Sequence, residues 1–194
     1  RLVGLVNNAG VLAVGPFEEL PSDAVDRVLD TNLHGTFAVT RAVLPRLRGH
    51  GGRIVCVSSS SGLGGLPTWS AYAASKWGVE GWAESLAFEV GPHGIDVVLV
   101  EPGAFPTGIW RDEARHGSSD GPYGPMVDAM VVADRRAAES GGDPVVVARV
   151  VARAFDARMP LTRRPVGRGA WLRWAARGIV PFGLQRRAVA RIVG

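Results

Sequence analysis

Residues Ile54-Val55-Cys56-Val57-Ser58-Ser59-Ser60-Ser61-Gly62, followed after a short connection by Tyr72-Ala73-Ala74-Ser75-Lys76, decide how the rest of the chain is read. The first four form an apolar, mostly β-branched run that predicts a buried strand, and four serines and a glycine end it. From Tyr72 the small or apolar positions Tyr72, Ser75, Val79, Ala83, Leu86, Ala87 and Val90 recur at three-four spacing, which predicts a helix with one buried stripe. Gly91-Pro92 stops it. Four residues apart on that helix, Tyr72 and Lys76 share a face. A strand that delivers a polar turn to a helix is the unit of an open α/β sheet, where ligands bind beyond the carboxyl ends of the strands. Ser59 stands at such an end.

Lys76 is the only lysine among 194 residues, every other basic side chain being arginine, and Tyr72 is one of two tyrosines. A free phenol titrates about three units above neutrality, a gap of roughly 4 kcal/mol. A nearby ammonium favours the phenolate and narrows the gap, giving a proton donor or acceptor near neutral pH. On spacing alone, a half-buried tyrosine beside a solvated lysine is an equal reading, and the serine turn upstream tips the balance.

A strand leading into Ser59-x-x-Gly62, then Tyr72-x-x-x-Lys76, resembles the short-chain dehydrogenase/reductase family. Two further stretches match its motifs in its order. Leu2-Val3-Gly4-Leu5-Val6 runs into Asn7-Asn8-Ala9-Gly10, and the β-rich run Ile95 to Val100 ends in Glu101-Pro102-Gly103-Ala104-Phe105-Pro106-Thr107. The resemblance implies an α/β fold, a doubly wound, Rossmann-like parallel sheet. It implies hydride transfer between NAD or NADP and a small carbonyl or alcohol, with no metal. In that scheme Tyr72 is the general acid/base, and Lys76 lowers the phenol's pKa and bonds the nicotinamide ribose. Ser59 bonds the reacting oxygen, and Asn32 holds a water near Lys76. The same resemblance places cofactor contacts at Asn7, Ala9, Gly10, Tyr72, Lys76, Pro102, Gly103, Phe105 and Thr107, and implies a homo-oligomer built on the helices that carry Asn32 and Tyr72.

A dinucleotide fold opens with a strand, a glycine-rich turn and a helix that receives the pyrophosphate. No such element precedes Arg1, so we expect the chain to lack the first β-α-β-α-β half. Gly62-Leu63-Gly64-Gly65 reads instead as a loop that lets Ser59 and Tyr72 converge. The residue that selects NAD from NADP belongs to that first half, so the choice is not readable. The competing reading is a non-catalytic fragment, or a binding or scaffold module of the same ancestry.

The remaining stretches read as support. Ser22 is the expected cap of a helix with Asp23 and Asp26 in its first turn, interrupted from Asp30 to Gly35 around Asn32 and resuming to Gly49. His34 reads as a surface histidine. Residues 108–142 form the expected substrate lid, with a helix from Met126 to Ala138. Trp110, Tyr123, Met126 and Met130 there point to a fairly apolar substrate. Asp143-Pro144 opens a packing helix and Leu161 to Val166 is the expected last strand. Residues 1–166 thus read as one domain and 167–194 as its basic amphipathic tail.

Composition bounds the alternatives. A 46% hydrophobic chain suits a globular protein, no apolar run is long enough to cross a bilayer, and no signal pattern opens the sequence, so we expect a cytoplasmic protein. Cys56, the one cysteine, reads as a buried thiol. The net charge of +4 comes from the tail, where residues 160–194 hold eight arginines and no acid, which argues against a general nucleic-acid surface. Trp171, Leu172, Trp174, Ile179, Val180, Phe182 and Leu184 alternate with those arginines. Such a segment can lie on an anionic membrane or pack on the domain with its arginines solvated, and from composition we prefer the second.

Overall fold

The computed structural model describes residues 2–110, 114–156 and 163–193. In chain order the elements are β1 (Gly4–Asn7), β2 (Ala13–Val14), α1 (Ser22–Leu29), α2 (Gly35–Leu47), β3 (Gly52–Val57), α3 (Ser70–Val90), β4 (Ile95–Pro102), β5 (Ala114–Arg115), α4 (Gly124–Glu139), α5 (Val145–Asp156), β6 (Arg163–Val166), α6 (Arg168–Ala176) and α7 (Phe182–Val193). Strands β1, β3, β4 and β6 form one sheet in that order, all parallel, with Val6 opposite Val55 and Val55 opposite Val98. Helices carry the chain between them, as parallel pairing requires. The α/β class and the parallel sheet are therefore as the sequence indicates.

Alternation along the strands divides the core in two. Ile54, Cys56, Ile95, Val97 and Leu99 face α2 and α3, meeting Leu47, Val79, Ala83 and Leu86. Val55, Val98 and Val100 face the other way, against Ala154 of α5, Phe105 and Val166. With both faces covered, β3 and β4 have no polar side at their centres, which is why Ile54–Val57 and Val97–Val100 read as continuous apolar runs. A third cluster closes the carboxyl end of the sheet, where Leu12, Val14, Val28, Trp69, Tyr72 and Met130 are buried together.

Several local expectations are met with altered detail. The helix of Tyr72 ends at Val90, but Gly91 keeps right-handed helical geometry, and the left-handed residue that turns the chain into β4 is Gly94, at φ +69°. Ser22 is the first residue of α1 and no side chain caps it; Pro21, with its φ fixed by the ring, sets the entry. Asp143 does cap α5, its carboxylate accepting the Val145 N–H at 2.8 Å. The interruption at Asp30 to Gly35 is one wide turn, a π-helical stretch from Asp30 to His34 that joins α1 to α2 without a break. The short parallel pairing of β2 with β5 has no sequence signal, since two residues carry no periodicity. Of the expected last strand, Arg163 to Val166 are β6, and Leu161 and Thr162 lie outside the described residues.

Candidate active site

β3 delivers the serines to the open end of the sheet. Ser59 is extended, and its Oγ accepts the Ser61 N–H at 3.1 Å, which fixes a single tight turn over Ser60–Gly62. Gly62 is required there. A Cβ would stand 2.9 Å from both Glu80 Cγ and Ser58 Oγ, so only a bare backbone lets this turn press against α3. The turn sets the Ser59 side chain beside Tyr72, near enough to draw the pKa of its phenol downward.

Tyr72 and Lys76 share the buried face of α3, as their spacing requires. Burial pushes the Tyr72 phenol up to about 12, with the Ser59 hydrogen bond working in the other direction. Lys76 Nζ donates to the Val57 carbonyl at 3.0 Å and lies 5.6 Å from the centroid of the Tyr72 ring. Burial pushes the Lys76 ammonium down to about 8, against the favourable charges of Cys56 and Glu80. In this geometry the ammonium lies near the ring and is tied to a strand carbonyl. Desolvation therefore outweighs the lowering of the phenol pKa that an adjacent lysine leads one to expect.

Asn32 is buried behind this pair, at the centre of the π-helical stretch. Its Oδ1 accepts the Val11 N–H at 2.8 Å, and its Nδ2 donates to the Val11 carbonyl at 3.0 Å and to Ser75 Oγ at 3.0 Å. Ser75 Oγ in turn donates to the Tyr72 carbonyl at 2.7 Å. The asparagine thus locks the segment after β1 to the helix of Tyr72. His34 pairs with Asp30 on the surface, and Cys56 is a buried thiol pushed up to about 11 by desolvation.

These groups open onto a cavity of about 1090 Å³ lined by Asn8, Ala9, Gly10, Ser59, Tyr72, Lys76, Pro102, Gly103, Phe105 and Thr107, among others. Asn7, named with them from the sequence, does not line it. Its Nδ2 donates to Thr40 Oγ1 at 2.8 Å and approaches Cys56 Sγ at 3.6 Å, stitching β1 to α2 and β3. Asn8, not singled out from the sequence, faces the cavity in its place.

The cavity suits a flat, polar cofactor at one side. Ser58, Ser60 and Ser61 line it there together with Asn8 and Lys76. Gly10 also lines that side, and a Cβ built on it would stand at ordinary contact distance from Asn32 Oδ1 and Lys76 Nζ, at 3.4 and 3.7 Å. The side nearer Trp69 is apolar, with Leu12, Leu66, Ile109 and Trp110 as walls. The Trp69 ring stands edge-on to Tyr72 at 5.6 Å and to Trp110 at 5.8 Å. Of the lid residues read from the sequence, Trp110 lines the cavity, its Nε1 donating to the Phe105 carbonyl at 2.6 Å. Met130 is buried in the adjoining core, with Met126 packed against it, and Tyr123 is turned outward to Glu18.

A second polar group under the serine turn has no counterpart in the sequence reading. Glu80 of α3 and Glu101 of β4 are both buried, and Arg163 of β6 bonds them together with Glu84. Burial and the Glu80 charge push the Glu101 carboxyl up to about 7, although Arg163 opposes them. One signal was present: Glu101 is an acid that directly follows the apolar run Val97–Val100.

In sequence and fold the chain is similar to known proteins. A family model described as short chain dehydrogenase matches residues 1–117. The chain is 36% identical over 184 residues to an uncharacterized oxidoreductase, YusZ, of Bacillus subtilis, covering 92% of this chain and 66% of that protein. It is 39% identical over 170 residues to retinol dehydrogenase 8 of Bos taurus, covering 82% of this chain and 54% of that protein. Among solved structures, a short-chain dehydrogenase from Streptomyces avermitilis superposes with a TM-score of 0.79 at 31% identity, covering 98% of this chain and 68% of that one. The chain thus spans less than two thirds of the length of the two curated relatives.

Proposed function

We propose, since this chain belongs to the short-chain dehydrogenase family, that it is an oxidoreductase interconverting a carbonyl and an alcohol with a nicotinamide dinucleotide, NAD or NADP. The observation that carries the proposal is the meeting of the Ser59 hydroxyl and the Tyr72 phenol, with Lys76 beneath them, at the wall of one large cavity. When bound, the dinucleotide supplies or takes the hydride.

The chain's own residues handle the proton. Held at about 12, the phenol of Tyr72 is fully protonated at neutral pH, ready to give its proton to a carbonyl oxygen during reduction. Ser59, beside that phenol, donates to the same oxygen as charge develops on it. Lys76, fixed by Val57, places a cation beside the phenolate that forms, and that cation is stabilising only once the tyrosine has lost its proton. Asn32 holds the segment carrying Gly10 against α3, which positions Lys76. Asn8, Ala9, Gly10, Pro102, Gly103, Phe105 and Thr107 would hold the dinucleotide.

An apolar substrate fits the wall of Leu12, Leu66, Trp69, Ile109 and Trp110, and the likeness to a retinol dehydrogenase supports that reading. Tyr72→Phe tests the proposal. Turnover of NADH or NADPH with a carbonyl panel should fall by about 10³-fold or more, as loss of a general acid implies, while fluorescence titration still shows saturable cofactor binding. Near-normal turnover in the variant would sink the assignment, and no saturable binding by the parent chain would favour a non-catalytic module.

A further inference from the structure

α6 has two faces with different surroundings. Ala170 is fully buried, close to the backbone of Gly103, and Arg173 reaches inward to donate to the Gly64 carbonyl at 2.8 Å. Gly169 and Arg173 both line the catalytic cavity, so α6 is part of its wall. The other face stands in water. Trp171 is 55% exposed and Leu172 73%, and beyond the bend that follows α6, Ile179 is 78% and Leu184 53%. Trp174 packs edge-on against Trp171 at 5.5 Å and is itself exposed. Single exposed apolar side chains are ordinary, but five large ones between residues 171 and 184, two of them in ring contact, mark a surface fit for a partner.

Charge narrows what the patch fits. From Arg163 to Val193 there are eight arginines and no acid, while the remaining residues are net acidic. Arg163 is occupied by Glu80, Glu84 and Glu101, and Arg177 lies 4.0 Å from Glu80 and over the Trp77 ring at 5.9 Å. Arg186, Arg187 and Arg191 of α7 are exposed, with no carboxylate at ion-pair distance among the described residues. Exposed tryptophan, leucine and isoleucine interleaved with uncompensated arginine match the boundary between anionic headgroups and acyl chains, where apolar side chains enter and guanidinium groups take phosphate.

We propose that the α6–α7 surface docks peripherally on anionic phospholipid membranes and sets the α6 wall of the cavity against the lipid. The contact is separate from the hydride-transfer reading, so its test reads binding and not turnover. The full chain is sedimented with vesicles of phosphatidylcholine alone and of phosphatidylcholine with phosphatidylglycerol, at low and high salt, beside the variants Trp171→Ala/Leu172→Ser/Ile179→Ser and Arg186→Gln/Arg187→Gln. The expected result is binding to the anionic vesicles that weakens in high salt and falls by about tenfold or more in each variant, with unchanged circular dichroism. Absence of binding, equal binding to neutral vesicles, or binding that survives both variants overturns the proposal. So does a dimer seen by light scattering that only the apolar variant dissociates without any vesicle binding, since the patch would then be a contact between copies of this chain.

Discussion

Asn32 shows how much a single buried side chain is made to do. Both of its amide atoms serve the Val11 backbone, and its nitrogen also reaches Ser75, so removing it strands a partly buried N–H and carbonyl and a buried hydroxyl. Asn32→Ala should therefore cost about 3 kcal/mol, the sum of lost and unsatisfied buried hydrogen bonds, read as a lower urea midpoint at unchanged slope. Asn32→Asp keeps the acceptor for the Val11 N–H but sets a buried carboxylate oxygen against the Val11 carbonyl, and should cost at least as much. A loss below about 0.5 kcal/mol for the alanine variant would show that Val11 finds other partners. The position of Asn32 was legible, because a polar residue between two apolar helical stripes calls for an explanation. The assignment within Asn7-Asn8 was not. Adjacent residues in an extended segment point to opposite sides, and which side meets the cavity depends on how α2 and β3 cover the strand.

At the scale of elements, periodicity gave the strands and helices that face the core, and it failed where contacts between distant segments set the structure. The π-helical turn around Asn32 and the β2–β5 pairing are of that kind, as is Arg163, which reads as one more arginine of a basic tail and instead ties β6 to α3 and β4. Glu80 and Glu101 are buried, and Arg163 is the cation that directly bonds both. Arg163→Met leaves both acids without it. It should destabilise the chain by about 3–5 kcal/mol, the usual cost of breaking a buried ion pair from one side. The triple variant Glu80→Gln/Glu101→Gln/Arg163→Met should recover much of that loss in urea unfolding, since amides need no counter-charge. If the single change is neutral, the cluster is not what holds the edge strand.

The whole molecule carries its buried ionisable groups at one end of the sheet, and their shifts set how its stability depends on pH. The motifs, being local and in a fixed order, made the architecture legible, and the burial of Cys56 and Tyr72 with it; the burial of Lys76 and Glu101 comes from packing between distant segments and was not readable. Glu101 is raised from 4.5 to about 7, so between those values the folded chain holds a proton that the unfolded chain has lost, and stability falls as pH rises. Lys76 is lowered from 10.5 to about 8, so above pH 8 the unfolded chain holds the extra proton and stability rises with pH. Cys56, raised from 9.0 to about 11, and Tyr72, raised from 10.0 to about 12, reverse that trend in more alkaline solution. Unfolding free energy from urea titrations should therefore pass through a shallow minimum near pH 7 to 8 and climb again toward pH 9. Glu101→Gln should flatten the acidic limb, and Lys76→Met should remove the climb while raising stability at pH 7, because the buried ammonium is then gone. A profile that rises steadily from pH 5 to 7 in the parent chain would mean that Arg163 keeps Glu101 ionised despite its burial, making the cluster a fixed ion pair rather than a titrating one.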